Sequence, residues 1–376
     1  MKINSIEDLN SLKENQISES KEIDYKELLA LTSPTDKTNF IQNLTSFSNA
    51  IGGNLIYGIK AKDGIPTEIT GIETNNNDSL KLQLDNIIQD LTSPRVSNYN
   101  FKFIPISEAR QVLVIEIQKS WNSPHAVKIN KGFVFYSRNS AGKFPLDIFE
   151  IRNLFLESSA QIENAKSFRI KRITEIISDQ TPVPIFENYP SKFILHSIPL
   201  NAFNPSTKYD LKLIKDYNMI GTMIESYSHR MINFEGVLLY TSHWENQKSC
   251  GNYTQLYRNG IIESLDAFSV NFYTGDICKV HLYSLENEVK EFIYRTLNVY
   301  SLLKVQLPIL ISISFLNMKG KELSQKISYA RSKSLLRENY YLPDFLIESY
   351  DEDWETSLAE SFIPLWNAFG IENRLD

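Results

Sequence analysis

A pair of glycines, Gly52-Gly53, constrains the fold of this chain more than any other feature of its sequence. The pair follows residues 38–50, where apolar side chains recur every three or four positions, the pattern of an amphipathic helix. It precedes residues 54–60, a nearly continuous apolar run typical of a strand covered on both faces. Glycine readily adopts the positive φ angles at which helices end. The sequence therefore predicts a helix, a turn and a buried strand in succession.

A short charged run, residues 19–26, precedes this helix and is predicted to hold the chemistry. Charged and apolar side chains alternate over 22–26, so on a strand Asp24 and Lys26 share one face and the apolar side chains face the core. Glu19 is an odd number of residues before Asp24, so it must reach Asp24 from the turn that leads into the strand. Carboxylates beside a lysine are typical of a divalent-metal site or of a structural ion-pair cluster.

Length and composition indicate a large globular protein in a reducing compartment. The 376 residues are enough for two domains with separate cores, and the 42% of apolar and 12% of aromatic residues are typical of folded proteins. No apolar run approaches the roughly 20 residues that a bilayer requires, and residues 1–15 do not resemble a signal peptide. Cys250 and Cys278 provide neither a disulfide framework nor a zinc site. We therefore expect a cytoplasmic protein that does not contact membranes.

The pattern of helices and strands predicts a mixed α/β protein with two domains joined by a long helix. Residues 1–157 are predicted to form a first domain around a small sheet. Residues 158–184 are predicted to be a polar helical linker that ends at the prolines of 181–184, since proline cannot continue a helix. Residues 185–376 are predicted to form a second α/β domain, to which the sequence assigns no chemistry.

Individual elements of the second domain are also predicted. Apolar runs indicate strands at 192–200, 266–273 and 307–316, and a helix is expected at 284–303. Aromatic side chains recur at helical spacing within 350–376, which is more typical of packed core than of a ligand cage.

Charge is distributed unevenly along the chain. The formal net charge of −6 argues against a generally basic nucleic-acid-binding protein. Residues 95–143 are an exception, because their lysines and arginines far outnumber their two glutamates, and Lys128 among them is predicted to attract phosphate. A basic segment beside an acidic cluster would suit a metal-assisted phosphodiesterase. The alternative is that both are ordinary solvated surfaces.

Four motifs, in order, resemble those of the Schlafen AlbA-type domain. The first is Glu19-Ser-Lys-Glu-Ile-Asp-Tyr-Lys26, where the family has Glu-Ser-x-x-x-Glu-Phe-Lys. The second is Phe47-Ser-Asn-Ala-Ile-Gly-Gly-Asn-Leu-Ile-Tyr-Gly-Ile59, and the third is Gly71-Ile72. The fourth is Tyr136-Ser-Arg138, where the family continues to a Gly-Ser that is Asn139-Ser140 here.

This resemblance implies an AlbA-type α+β fold for the first domain. In animal Schlafens the fold is a metal-dependent endoribonuclease acting on transfer RNA. Bacterial two-domain members, which the second half also resembles, are described as DNA-binding or ATP-binding and often lie beside phage-defence genes. The resemblance therefore implies a metal-dependent nuclease acting on RNA or single-stranded nucleic acid in anti-phage defence, and it implies a homodimer.

The resemblance also implies roles for individual residues. The two family glutamates match Glu19 and Asp24, which would hold Mg²⁺ or Mn²⁺. A third family acid matches Lys60, which places a cation where a ligand is expected, although Asp63 follows closely and could supply a carboxylate. Lys26 would stabilise charge in the transition state.

Phosphate contacts follow from the last motif. Arg138, with Ser140 and Lys143, occupies the family's Arg-x-Gly-Ser position and is predicted to hold the nucleic-acid backbone.

Three classes of function remain open at this point. The first is the metal-dependent nuclease. The second is a module that binds nucleic acid or ATP without catalysis, in which Lys26 and Lys60 neutralise Glu19 and Asp24. The third is a regulatory or assembly protein whose second domain recognises a protein partner. Ordinary P-loop hydrolysis of ATP is not expected, since the sequence has no Gly-x-x-x-x-Gly-Lys-Ser/Thr motif.

Overall fold

The chain forms two compact units, Met1–Ala160 and Gln161–Asp376, in a computed structural model. The structure describes residues 2–74, 76–215, 219–223, 228–241, 249–274, 277–324, 333–350 and 352–372. Both units combine helices with mainly antiparallel sheets, which confirms the predicted mixed α/β class. Among the described residues, no helix has both the length and the apolar character needed to cross a lipid bilayer.

Helices and short strands alternate in the first unit. Its helices are α1 (Ile6–Glu14), α2 (Pro34–Ser48), α3 (Asn77–Leu91) and the first part of α4 (Ile148–Ile177). Its strands are β1 (Ile23–Lys26), β2 (Gly52–Tyr57), β3 (Ile59–Lys62), β4 (Ile65–Ile69), β5 (Ile72–Glu73), β6 (Thr92–Ser93), β7 (Tyr99–Pro105), β8 (Arg110–Gln118), β9 (Ala126–Ile129), β10 (Gly132–Asn139) and β11 (Gly142–Pro145).

Strands are more numerous than helices in the second unit. Beyond α4, its helices are α5 (Leu282–Leu303) and α6 (Trp354–Ala368), with short 3₁₀ turns at Leu200–Phe203 and Leu211–Leu213. Its strands are β12 (Lys192–Pro199), β13 (Ser228–Ile232), β14 (Gly236–Thr241), β15 (Asn252–Tyr257), β16 (Ile262–Asp266), β17 (Phe272–Thr274), β18 (Ile277–Val280), β19 (Ile309–Leu316), β20 (Glu322–Leu323), β21 (Tyr340–Tyr341) and β22 (Phe345–Ile347).

The main sheet of the first unit lies between two helical layers. Its strands run in the order β1-β2-β8-β5, with β7 paired to β8, and β1 lies parallel to β2. Ile23 and Tyr25 of β1 pack with α1 on one face, as the alternating pattern predicts. Leu55 and Tyr57 of β2 pack with α2 and α3 on the other face. The sheet is therefore buried on both sides, which explains the continuous apolar run of β2.

The turn at Gly52-Gly53 brings β2 against β1. Gly52 and Gly53 have φ angles of 80° and 151°, and the amide of Asn54 donates to the carbonyl oxygen of Glu22. A Cβ atom at Gly53 would lie 2.4 Å from that same oxygen. The predicted succession of helix, turn and strand is thus confirmed. The predicted strand 54–60 instead divides at Gly58, whose φ of 95° separates β2 from β3.

A second sheet, ordered β11-β10-β9-β6, packs beside α2. Asn49 at the end of α2 joins it: its Nδ2 donates to the carbonyl oxygens of His125 and Tyr136, and its Oδ1 accepts from the amide of His125. His125 is itself buried, with ring contacts to Ser120 and Pro94, and burial lowers its pKa to about 4. These contacts fix the β10–β11 hairpin relative to β1 and α2.

An eight-stranded sheet forms the centre of the second unit. Alternate residues of its strands face opposite sides: Phe193 packs with α5 and α6, and Ile194 packs with the end of α4. The aromatic side chains of α6 lie in the first of these cores, as predicted. The predicted strand 266–273 is wrong, because the carboxylate of Asp266 accepts from the amides of Phe268 and Ser269 and forms a turn there.

Helix α4 continues without a break from Ile148 to Ile177, and Gln161 begins the second unit. Much of the predicted linker, 158–184, is therefore packed helix. Arg172 of α4 contacts both carboxylate oxygens of the fully buried Glu263, at 2.8 and 2.9 Å. The polar residues of α4 therefore include one that forms a buried ion pair as well as others that face solvent.

We expect Gly53→Ala to lower the free energy of unfolding of the first unit by about 3 kcal/mol, through overpacking and strain at positive φ. Gly132→Ala is the matched control, because a Cβ there lies no closer than 3.8 Å to its neighbours. Urea denaturation followed by circular dichroism measures both. Equal stability of the two variants would contradict the role assigned to this turn.

Candidate functional site

An open pocket of about 660 Å³ lies in the first unit between β1, α2 and the β10–β11 hairpin. Charged side chains are concentrated on its wall. They are Glu19, Asp24, Lys26, Asp36, Asp63, Arg138 and Lys143. Strand β1, which pairs in parallel with β2, forms one wall of the pocket and carries Asp24. The β10–β11 hairpin forms another wall, and Asn49 holds this hairpin in place.

Most of the residues predicted from the sequence meet in this pocket. Glu19, Asp24, Lys26, Arg138, Ser140 and Lys143 all line it. Lys60 and Lys128 do not: the Lys60 ammonium lies 3.9 Å from a carboxylate oxygen of Glu27, and Lys128 donates to the carbonyl of Asp90. Lys60 is displaced because the chain turns at Gly58 onto β3.

Asp24 is the buried charge at the centre of the pocket, with 7% of its surface exposed. Its Oδ1 lies 2.6 Å from the Lys26 ammonium, and its Oδ2 lies 3.5 Å from Nη1 of Arg138. A carboxylate this buried needs such partners, since an unpaired charge is costly to remove from water. The contact between Asp24 and Lys26 follows from the face that they share on β1.

Arg138 lies beneath the pocket and is almost inaccessible, with 2% of its side chain exposed. Its guanidinium stacks 3.6 Å from the ring centroid of Phe47 and donates from Nη2 to the carbonyl of Ser20. Burial lowers the pKa of Arg138, and the charge of Asp24 opposes that shift. Arg138 therefore positions Asp24 and balances its charge, and its predicted contact with phosphate stays a prediction.

Glu19 reaches the pocket from the turn before β1, as its odd offset from Asp24 predicts. Its amide donates to the carbonyl of Gly64, and its Oε1 accepts from the amide of Tyr25 at 3.0 Å. Burial raises the pKa of Glu19, and the hydrogen bond and negative charge of Asp24 raise it further. The two carboxyl groups therefore share a site, and Glu19 retains a proton more readily than an exposed glutamate.

Lys143 faces the pocket from β11, opposite Arg138 in the hairpin. Its ammonium donates to the carbonyl of Asn39 at 3.5 Å. Burial first, and then the positive charges of Lys26 and Arg138, lower the pKa of Lys143 to about 8, while Asp24 acts in the opposite direction. Ser140 is exposed at the tip of the same hairpin.

The sequence did not identify one wall of the pocket, which is a stripe on α2 with three polar residues and one phenylalanine. Asp36, Asn39, Phe40 and Asn43 all line the pocket. Their spacing of three and four residues places them on one helical face, a signal that could have been recognised. Tyr57 lies behind them, and its pKa is raised by burial and by the nearby charge of Asp24.

The donor set fits a divalent cation poorly. Both oxygens of Asp24 already face cations, and one oxygen of Glu19 accepts from the backbone. In the part of the chain that the structure describes, no three His, Cys, Asp or Glu side chains are grouped to hold a metal ion. Lys26 and Arg138 already neutralise Asp24, and Lys143 adds a further positive charge that would oppose a bound cation.

Comparison with known proteins identifies a family for the first unit. Residues 19–147 match the family model described as Schlafen, AlbA_2. The first unit contains a Schlafen AlbA_2 domain. The match confirms the resemblance seen in the sequence motifs and spans every residue predicted for the site; the second unit lies outside it.

Other comparisons add little to this result. A solved structure, the DIP2311 protein from Corynebacterium diphtheriae, is 19% identical over 34% of this chain and 22% of its own chain, with a TM-score of 0.24. The chain thus spans about a fifth of that protein, and the similarity is too low to define a shared fold. No curated protein matches the sequence.

We expect Glu19→Gln to raise the melting temperature at pH 7. The raised pKa of Glu19 means that the folded state binds its proton more tightly than the unfolded chain does. Stability from this group is therefore complete below its ordinary pKa and is lost as the pH rises through the folded value. The difference from the parent should disappear near pH 4, and calorimetry at both pH values measures it. A Glu19→Gln variant less stable than the parent at pH 7 would contradict the raised pKa.

Proposed function

We propose that the Schlafen AlbA_2 domain binds the phosphate backbone of single-stranded nucleic acid in the pocket between β1, α2 and the β10–β11 hairpin. The observation that carries this proposal is that Lys26 and Lys143 line one cavity above the buried Arg138. Burial, and after it the positive charges of Lys26 and Arg138, lower the pKa of Lys143. A phosphate bound there would relieve that repulsion.

The two partly exposed lysines, Lys26 and Lys143, have different roles from the buried Arg138. Lys26 and Lys143 can reach a ligand, since 37% of the Lys26 side chain is exposed and Lys143 is half-buried at the rim. Arg138 holds Asp24 from below. Asp24 in turn keeps the Lys26 ammonium at the pocket wall, so the carboxylate serves to orient a phosphate-binding lysine.

The family supports a polymeric ligand over a simple anion. Schlafen AlbA_2 domains are associated with nucleic acids, and the match includes all the residues of the site. The pocket volume lies within the range of small-molecule sites and would admit about one or two nucleotides. ATP, which offers the same phosphates, is the competing ligand.

A metal-dependent nuclease is the second candidate, favoured by the proximity of the Glu19 and Asp24 carboxyl groups in a pocket that is open to solvent. Glu19 and Asp24 are the residues that would hold Mg²⁺ or Mn²⁺, whose chemistry such a nuclease would need. Glu19, whose pKa burial raises, would then accept a proton, and Lys26 would offset charge on the phosphate. The resemblance to bacterial two-domain Schlafen-type proteins is the ground for also proposing a role in anti-phage defence.

We expect Lys143→Met to weaken binding of a single-stranded oligonucleotide and to reduce the slope of log K against log salt by about 0.7 to 1, the loss of one phosphate contact. The parent should also lose affinity between pH 7 and 9, as Lys143 loses its proton, whereas the variant should not. Fluorescence anisotropy measures both effects.

Lys128→Met is the matched control, because Lys128 lies outside the pocket and should leave affinity unchanged. ATP added as a competitor tests whether nucleotide phosphates alone suffice. Equal losses for the two lysine variants would contradict the proposed site.

Nuclease activity is tested with the isosteric double variant Glu19→Gln/Asp24→Asn. If the second candidate is correct, Mg²⁺- or Mn²⁺-dependent cleavage of labelled transfer RNA and single-stranded oligonucleotides should fall by about 100-fold or more. Binding is measured on the same preparations. Cleavage that is equal in parent and variant would exclude these carboxyl groups as catalytic.

A further inference from the structure

A cysteine and a lysine lie side by side in the second unit, remote in sequence from the Schlafen AlbA_2 domain. Strands β18 and β20 pair in parallel, with Lys279 opposite Glu322. The preceding residues, Cys278 and Lys321, therefore face the same side of this pair. The distance from Nζ of Lys321 to Sγ of Cys278 is 2.7 Å. The backbone pairing of β18 with β20 therefore places these two residues side by side.

The lysine is held in this position by its surroundings. Lys321 is buried, with 5% of its surface exposed, which is unusual for lysine. Its ammonium also donates to Oδ1 of Asn271 at 3.2 Å. Asn271 is fixed in turn, because its Nδ2 donates to the carbonyls of Ser191 and Ala267. The amine therefore remains against the sulfur.

We propose that Cys278 and Lys321 form a reversible covalent cross-link when the protein meets hydrogen peroxide. Peroxide first oxidises the Cys278 thiol to a sulfenic acid and releases one water. The nitrogen lone pair of Lys321 then attacks the sulfur, an S–N bond forms and the S–O bond breaks. The departing hydroxide takes a proton from the amine and leaves as a second water.

The electrons and protons balance in this sequence. Sulfur loses two electrons, and these reduce one peroxide molecule to two waters. Where the lysine begins as an ammonium, one further proton passes to solvent. A thiol reductant attacks the sulfur of the S–N bond and returns the free amine, so the modification is reversible.

The other cysteine provides an internal comparison. Cys250 is buried in the core beside Ile173 and Ile176, and burial raises the pKa of its thiol to about 12. Such a thiol rarely forms the reactive thiolate. Cys278 is only half-buried, so peroxide can reach it. Oxidation should therefore select Cys278.

The test is peptide mapping of the full-length protein after mild peroxide treatment. We expect a cross-linked species lighter than the two free peptides by the mass of two hydrogen atoms, joining Cys278 to Lys321. Trypsin should no longer cleave after Lys321, and dithiothreitol should restore both the mass and the cleavage. Cys250 should stay unmodified.

Two variants provide controls. Cys278→Ser should show no cross-link, and Lys321→Arg should let Cys278 proceed to sulfinic acid, since a guanidinium does not capture the sulfenic acid. If a variant fails to fold, the peptide map of the parent protein decides the outcome. Sulfinic or sulfonic acid at Cys278 in the parent, with normal cleavage after Lys321, would overturn the proposal.

Discussion

The burial of Asp24 is the constraint on which the candidate site depends. A carboxylate with so little exposure must be paired, and the protein supplies Lys26 from the same strand and Arg138 from a distant hairpin. Arg138 can reach it only because Phe47 supports its guanidinium and Asn49 holds the hairpin to α2. The acidic and basic segments of the sequence thus meet in one electrostatic cluster, and the partly exposed Lys26 and Lys143 lie beside it.

The second unit also contains a buried carboxylate that is stabilised by polar side chains from other segments. Glu263 is fully buried, and Arg172, His196 and Tyr253 all contact its carboxylate. Its pKa falls to about 2, because burial, which raises it, is outweighed by the hydrogen bonds and charges of Arg172 and His196. Removing one member of such a network commonly costs about 3–5 kcal/mol, since the remaining charge is left unpaired. This network attaches α4 to the eight-stranded sheet of the second unit. The sequence indicated only that this helix is polar, and the network shows what one of its arginines contacts.

Sequence patterns predicted the local parts of the site well and the distant parts less well. Alternation placed Asp24 and Lys26 on one face, the odd offset placed Glu19 in the preceding turn, and the glycine pair predicted the turn from α2 into β2. Lys60 was linked to the site by its position in a motif, but the break at Gly58 carries it onto another strand. A sequence motif gives the order of residues along the chain. It does not show where a glycine with positive φ changes the direction of the backbone.

By itself the sequence determined the mixed α/β class, the Schlafen AlbA_2 resemblance and the set of charged residues that could form a site, because periodicity and glycine positions act over short distances. Only the tertiary structure decided what those charges do. It buried Arg138 beneath Asp24, left Lys26 and Lys143 at the rim, and lowered the pKa of Lys143. The physical reason is that burial and electrostatic pairing depend on which distant segments come together, and no local pattern contains that information.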